Sequence, residues 1–313
     1  MPLHLRHALF GACLALAAAC TQAGEIAVIV KTTNSTFWQN VNKGAEAGMK
    51  DVPGHTMTFS GPASESAIAD QVNLVENAVN RRVAGIVLAP SDPDALVPAI
   101  KKAWEARIPV VLIDSRVSDA GARYYQSFLT TDNRAAGELC AKELIARVGT
   151  TGKVAVMSYV AGAGSEIGRV GAFTAYLKAN SKLEIVGPFY SQSQMATALN
   201  QTTDVLAAHR DLKGIFGANE PTAVGMGRAL VQSGRAGKVV AIGFDGNQDL
   251  QKFVDDGTLA GIAVQGSFQM GQLGVKTIQE LLQKKPVPKD RDTGVVWVTK
   301  GNLKSPEAKA VLY

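Results

Sequence analysis

Gly85-Ile86-Val87-Leu88-Ala89 is apolar at every position. A strand with one face in water alternates apolar and polar residues. A strand covered on both faces does not, and that is the habit of a central strand in a parallel sheet. Working outward, further short runs flank it: Ile26–Val30 and Thr56–Ser60 before, Val110–Ile113 and Gln126–Thr130 after. Amphipathic stretches lie between them at Phe37–Lys50, Ser64–Asn80 and Asp94–Ala106. Strands alternating with helices of this length form parallel sheets with helices on both faces.

The pattern then restarts. Lys153–Ser158, Glu184–Val186, Gly214–Gly217, Lys238–Gly243 and Gly261–Val264 read as strands. Helical patterns occupy Arg134–Arg147, Ser165–Asn180, Gln194–His209, Thr222–Ser233 and Leu250–Asp256. A long helix, Phe268–Lys284, and a last strand, Gly294–Val298, complete the chain. Two successive runs of βα units predict an α/β protein with two similar, doubly wound parallel-sheet lobes. Its 313 residues suit two domains.

Ligands of such sheets bind beyond the carboxyl ends of the strands. The residues found there are Asn34, Ser35, Phe37 and Trp38; Asp114; Thr131, Asp132 and Asn133; Arg169; Asn219 and Glu220; Asp245; and Gln265. Taken singly, each has an ordinary turn or capping explanation, and Asp132 and Asn133 are read as caps of the helix that follows. Collected at the tips of two facing lobes, they describe a cleft. Phe37 and Trp38 sit about 100° apart on one helix, so both cannot face a single core stripe equally well.

Composition excludes several functions. The net charge of +5 is scattered, without an arginine-rich stripe, so nucleic acid is not a partner. His55 and His209 neighbour no candidate nucleophile, and no G-x-S-x-G elbow or metal-ligand cluster occurs. No catalytic residue, metal or cofactor is expected. Gly162-Ala163-Gly164-Ser165-Glu166-Ile167-Gly168 is a spaced variant of the dinucleotide fingerprint, too weak to outweigh the rest.

Residues 1–23 read as an export signal: His4, Arg6 and His7 precede the apolar run Ala8–Ala19, and Thr21-Gln22-Ala23 offers a cleavage site. The competing reading is a lipoprotein box that acylates Cys20. With Cys13 and Cys20 in the leader, Cys140 stands alone in the mature chain, where no internal disulfide can form; it reads as a small buried apolar side chain.

Several segments together resemble the ribose-binding-protein-like family of periplasmic solute receptors, of the type I fold. They are Asn34-Ser35-Thr36-Phe37-Trp38, Ile108–Ser115, Thr131-Asp132-Asn133, Gly168–Phe173, Ile215–Glu220, Gly243-Phe244-Asp245-Gly246 and Leu259–Gln265, in that order and spacing. The resemblance implies a three-strand hinge near Thr131, Gln265 and Asp292. It divides the chain into lobes 24–131 plus 266–292 and 132–265 plus 293–313. It further implies a periplasmic, monomeric binding protein that closes on a neutral monosaccharide or polyol and presents it to the membrane permease of an ABC transporter.

On that resemblance the ligand-binding set is Ser35, Phe37, Trp38, Asp114, Thr131, Arg169, Asn219, Asp245 and Gln265. The aromatic pair would stack on the C–H face of a sugar, and the mixed acceptors and donors would read its hydroxyls. The chain departs from the family's habits at Ser115, at Ala89-Pro90 and within Ser191–Gln194, all in the pocket, which puts ribose itself in doubt. A receptor feeding a sensor kinase or chemoreceptor would carry the same features. The effector domain of a sugar-responsive regulator, the other use of this fold, would carry a DNA-binding helix-turn-helix where this chain has its leader.

Overall fold

The computed structural model describes residues 24–313. The expected leader, and with it the Cys20 anchor, lies outside the described residues. The first strands are β1 (Glu25–Ile29), β2 (Thr56–Ser60), β3 (Gly85–Leu88), β4 (Val110–Ile113) and β5 (Ser127–Thr130). Next come β6 (Thr151–Ser158), β7 (Lys182–Tyr190), β8 (Leu212–Gly217), β9 (Val240–Phe244) and β10 (Gly261–Gln265). The chain ends with β11 (Asp290–Asp292) and β12 (Val295–Val298).

One sheet runs β11-β5-β4-β3-β1-β2 and the other β12-β10-β9-β8-β6-β7. All their pairings are parallel except that of β12, which lies antiparallel to β10. Each lobe therefore repeats the order 2-1-3-4-5. Order reverses beside β1 in one sheet and beside β6 in the other, and a crevice opens at such a point.

β3 shows why the sequence dictates this sheet. Ile86 and Leu88 enter one apolar cluster with Ala99 and Ile100, while Val87 and Ala89 enter another with Val41 and Val275. Both faces are covered, and burying each such Ile, Leu or Val contributes roughly 1.5–3 kcal/mol before conformational entropy is subtracted.

The helices between strands are α1 (Thr36–Met49), α2 (Ile68–Asn80), α3 (Val97–Glu105), α4 (Asn133–Val148), α5 (Gly164–Asn180) and α6 (Met195–Ala208). They continue with α7 (Glu220–Gln232), α8 (Gln248–Asp255), α9 (Ser267–Leu282) and the short α10 (Pro306–Lys309). α9 follows a strand of the second sheet yet packs on α1 of the first lobe. The two helices meet through glycines: a Cβ on Gly44 would overlap the Phe268 carbonyl, and one on Gly271 the Val41 carbonyl.

The chain passes between sheets after β5, after β10, and between β11 and β12. Thr131 Oγ1 donates to the Gly294 carbonyl (2.9 Å), and Thr293 N donates to Thr130 O (2.8 Å), so two of these crossings are tied to each other.

Some expectations need correcting. The helix read as Ser64–Asn80 begins at Ile68, leaving residues 61–67 as a loop. β7 is much longer than the expected Glu184–Val186 because it is an edge strand, and its exposed outer positions break the apolar signal. β11 was not expected at all. Asp-Arg-Asp is exposed and carries no apolar alternation; only its pairing with β5 defines it.

Candidate functional site

The carboxyl ends of the central strands of both sheets converge on a hollow. It is lined by Lys31, Ser35, Phe37, Trp38, Glu65, Asp114, Tyr159, Ser165, Arg169, Asn219, Glu220, Pro221, Asp245 and Gln265. Eight of the nine residues selected from sequence are among them. The ninth, Thr131, is placed in the crossings, spent on Gly294, and borders a separate depression with Arg116 and Asp290.

Beyond β1, Ser35 caps α1 by accepting from Trp38 N (3.4 Å). The cap starts the helix at the lip of the hollow and sends Phe37 and Trp38 inward, packed edge to face with centroids 4.8 Å apart. Trp38 donates its indole Nε1 to Glu65 Oε1 (2.8 Å).

Asp114 and Asp245 end the fourth strand of each sheet, and both adopt left-handed backbone, with φ of 61° and 75°. Aspartate tolerates that region better than most residues. Both side chains line the hollow. Asp245 accepts from Gln265 Nε2 (2.8 Å) and Glu220 N (2.9 Å). Burial pushes its carboxyl up to about 6.

Arg169 is only 2% exposed and makes no ion pair among the described residues. It donates Nη1 to Ala218 O (2.7 Å), and Nε and Nη2 to Asn133 Oδ1 (3.1 and 2.7 Å), with its guanidinium 3.6 Å from the Phe244 ring centroid. Asp132 caps α4 as expected, accepting from Ala135 N (3.0 Å). Asn133 does not cap; it holds Arg169. Asn219 does two jobs: its Oδ1 caps α7 by accepting from Thr222 N (3.2 Å), and its Nδ2 donates to Ser193 Oγ (2.9 Å).

Sequence reasoning missed Lys31, Glu65, Tyr159 and Ser165, and it placed Glu220 at the cleft without counting it in the ligand-binding set. Lys31 Nζ lies 2.6 Å from Asp114 Oδ2 and donates to Ser115 Oγ (2.7 Å) and Ser165 Oγ (3.3 Å). Tyr159 donates its hydroxyl to Ser165 Oγ (3.0 Å), and burial raises its pKa. Lys31 follows the first strand directly, and the strand-end rule could have found it. Glu65 was hidden inside the overextended helix.

The two lobes touch across the hollow. Glu220 accepts from Thr36 N (3.0 Å) and Thr36 Oγ1 (2.7 Å), and Glu65 accepts from Ser193 Oγ (2.6 Å). Burial, reinforced by the nearby Asp245 charge, raises Glu220 to about 7. This is a closed arrangement.

Most donors here are already committed. All three Lys31 N–H bonds and the Trp38 N–H point at protein acceptors. Gln265 Oε1, by contrast, is buried without a hydrogen-bond partner among the described residues. With four carboxyl groups against two cations, the lining favours a ligand rich in O–H donors and lacking negative charge.

A family model described as a periplasmic binding protein domain matches residues 26–286. The chain belongs to the periplasmic binding protein family. Among curated proteins, this family member is 31% identical over 286 residues to the D-allose-binding periplasmic protein of Escherichia coli (strain K12), covering 89% of this chain and 91% of that one. Among solved structures it resembles an ABC transporter solute-binding protein from Agrobacterium vitis with bound D-fucose. The identity is 74% and the TM-score 0.92, over 93% of this chain and 100% of that one. A carbohydrate-transporter binding protein from Agrobacterium radiobacter, in complex with D-arabinose, shares 32% identity at a TM-score of 0.89, over 94% and 100% of the two chains. The fold is accordingly that of type I periplasmic binding proteins, with two lobes each built on a helix-flanked sheet.

Among the described residues, no helix is long and apolar enough to cross a membrane.

Proposed function

We propose that this chain is the exported substrate-binding component of an ABC-type sugar importer, a monomer that closes its lobes over one neutral monosaccharide or polyol and hands it to a membrane permease without altering it. The observation that carries this reading is the chemistry of the hollow. A sugar offers O–H donors to Gln265 Oε1 and the carboxylates, and an apolar C–H face to Phe37 and Trp38. The bound D-fucose of the 74% identical relative supports a pyranose of that kind, whose C6 methyl would suit the aromatic wall.

Ser35, Phe37, Trp38, Asp114, Arg169, Asn219, Asp245 and Gln265 form the ligand-binding set on this reading, with Lys31 and Glu65 added. Thr131 serves the hinge instead. The lobe limits of 24–131 plus 266–292 and 132–265 plus 293–313 are supported by the exchange of strands between the sheets.

Thermal unfolding of the purified protein with D-fucose, D-allose, D-arabinose and D-ribose, and with a uronate and a sugar phosphate for contrast, tests the proposal. A cognate neutral sugar at a hundred times its Kd stabilises by about 2.7 kcal/mol. Stabilisation by the charged sugars and by no neutral one would refute it.

A further inference from the structure

Residues 312 and 313 straddle the seam between the lobes. Leu312 packs into the core of the second lobe, while the Tyr313 ring packs on the first-lobe cluster that holds Phe37 and Trp38. The Tyr313 backbone belongs to the second lobe: its N–H donates to Gly246 O (3.2 Å), and its carbonyl accepts from Gln251 Nε2 (3.1 Å). Its hydroxyl donates to Glu220 Oε2 (2.9 Å), the same oxygen that accepts from Thr36 Oγ1 across the seam. Tyr313 does not line the hollow itself.

We propose that Tyr313 is the positioning residue of an interlobe clasp, holding the Glu220 carboxylate in the orientation that engages Thr36 and so setting how much of the protein is closed before any ligand arrives. Glu220 stands at the first position of α7, where the helix fixes its backbone but leaves three side-chain torsions free. Without a second partner the carboxylate would sample other rotamers. With the hydroxyl on Oε2, both oxygens face Thr36, whose N–H and O–H are the first donors of α1. The apolar contact adds area that forms only when the lobes meet. A receptor whose closed form is already populated binds its ligand more tightly by that fraction, with no new contact to the ligand. The inference rests on the reading of the hollow as a hinged sugar site.

The test uses spin labels at Lys101→Cys in the first lobe and Lys178→Cys in the second. Interlobe distances are measured without ligand and with D-fucose or D-allose. Tyr313→Phe keeps the ring and removes the hydroxyl. It should lower the closed share in the unliganded protein and weaken binding of both sugars by the same factor, about three- to tenfold, while leaving their affinity ratio unchanged. Thr36→Val should do the same. Combined with Tyr313→Phe it should add little, because both changes disable one device.

Wild-type distances and affinities in Tyr313→Phe would overturn the clasp, as would fully additive losses in the double variant. A change in the sugar ratio would move Tyr313 into ligand contact and overturn it equally. If the wild-type protein binds neither sugar, the functional reading fails separately, and the unliganded distances still judge the clasp.

Discussion

Lys31 Nζ lies 2.6 Å from Asp114 Oδ2, with the two side chains 3% and 5% exposed. The pair joins the ends of β1 and β4, strands of one sheet that do not neighbour each other, and through Ser165 it reaches the second lobe. A buried ion pair contributes little net stability over an apolar pair of similar shape, but removing one partner strands a charge.

Lys31→Met is therefore expected to destabilise the protein by about 3–5 kcal/mol and to weaken sugar binding at least tenfold. Adding Asp114→Asn should restore most of the stability and none of the affinity. Denaturant titration and calorimetry of the three variants separate the two effects; recovery of affinity in the double variant would remove both side chains from ligand recognition.

Gln265 spends its Nε2 on Asp245 and leaves Oε1 buried without a partner among the described residues. Gln265 lines the hollow, where a ligand hydroxyl can donate to that oxygen. Gln265→Met keeps the length, removes the acceptor and frees Asp245 of one donor. Calorimetry should show sugar affinity falling about ten- to a hundredfold, with the melting temperature of the unliganded protein within a few degrees of wild type. Unchanged affinity would take Gln265 out of the site.

The sheets were legible because β3, β4 and β9 are apolar on both faces, and their ends named Asp114 and Asp245 directly. What escaped did so for physical reasons. Glu65 sits in a loop whose polar residues continue smoothly into α2, so periodicity ran the helix too far. Asn133 and Asn219 both stand at helix starts, and capping chemistry is identical in sequence whether the side chain caps, holds an arginine or faces a cleft. Only the fold separates these roles: Asn219 caps and also meets Ser193, whereas Asn133 serves Arg169. Thr131 shares the strand-end position of the others but belongs to the sheet's margin, where the crossings run, and Gly294 takes its hydroxyl.

The α1–α9 contact makes a sharper stability prediction. Gly271 carries no left-handed strain; it is needed because any Cβ there would strike the Val41 carbonyl, part of helical backbone. Gly271→Ala gains helix propensity of nearly 1 kcal/mol yet forces the helices apart. A net loss of about 1–3 kcal/mol in denaturant unfolding is expected, whereas Gly171→Ala in α5, with open space around it, should be neutral or stabilising. Equal effects at the two sites would contradict the packing.

The pH dependence follows from two carboxyls. Glu220 is raised from 4.5 to about 7, and Asp245 from 3.8 to about 6, in both cases chiefly by burial. Each holds a proton in the folded, closed protein at a pH where the unfolded chain has lost it. Their contribution to stability is thus fully present below about pH 4, and it is lost as pH rises through about 6 and 7. Opening the lobes hydrates Glu220 without unfolding anything, so the loss appears first as opening and reaches global stability only in part. The unliganded wild-type protein should be more closed and more stable at pH 5 than at pH 8, and Glu220→Gln should flatten both profiles. The other charged groups lining the hollow, Asp245, Glu65 and Asp114 with the cations Lys31 and Arg169, remain in that variant, so a persistent slope would assign the titration to Asp245 instead. Stability that rises between pH 5 and pH 8 in the unliganded protein would contradict the burial of both carboxyls.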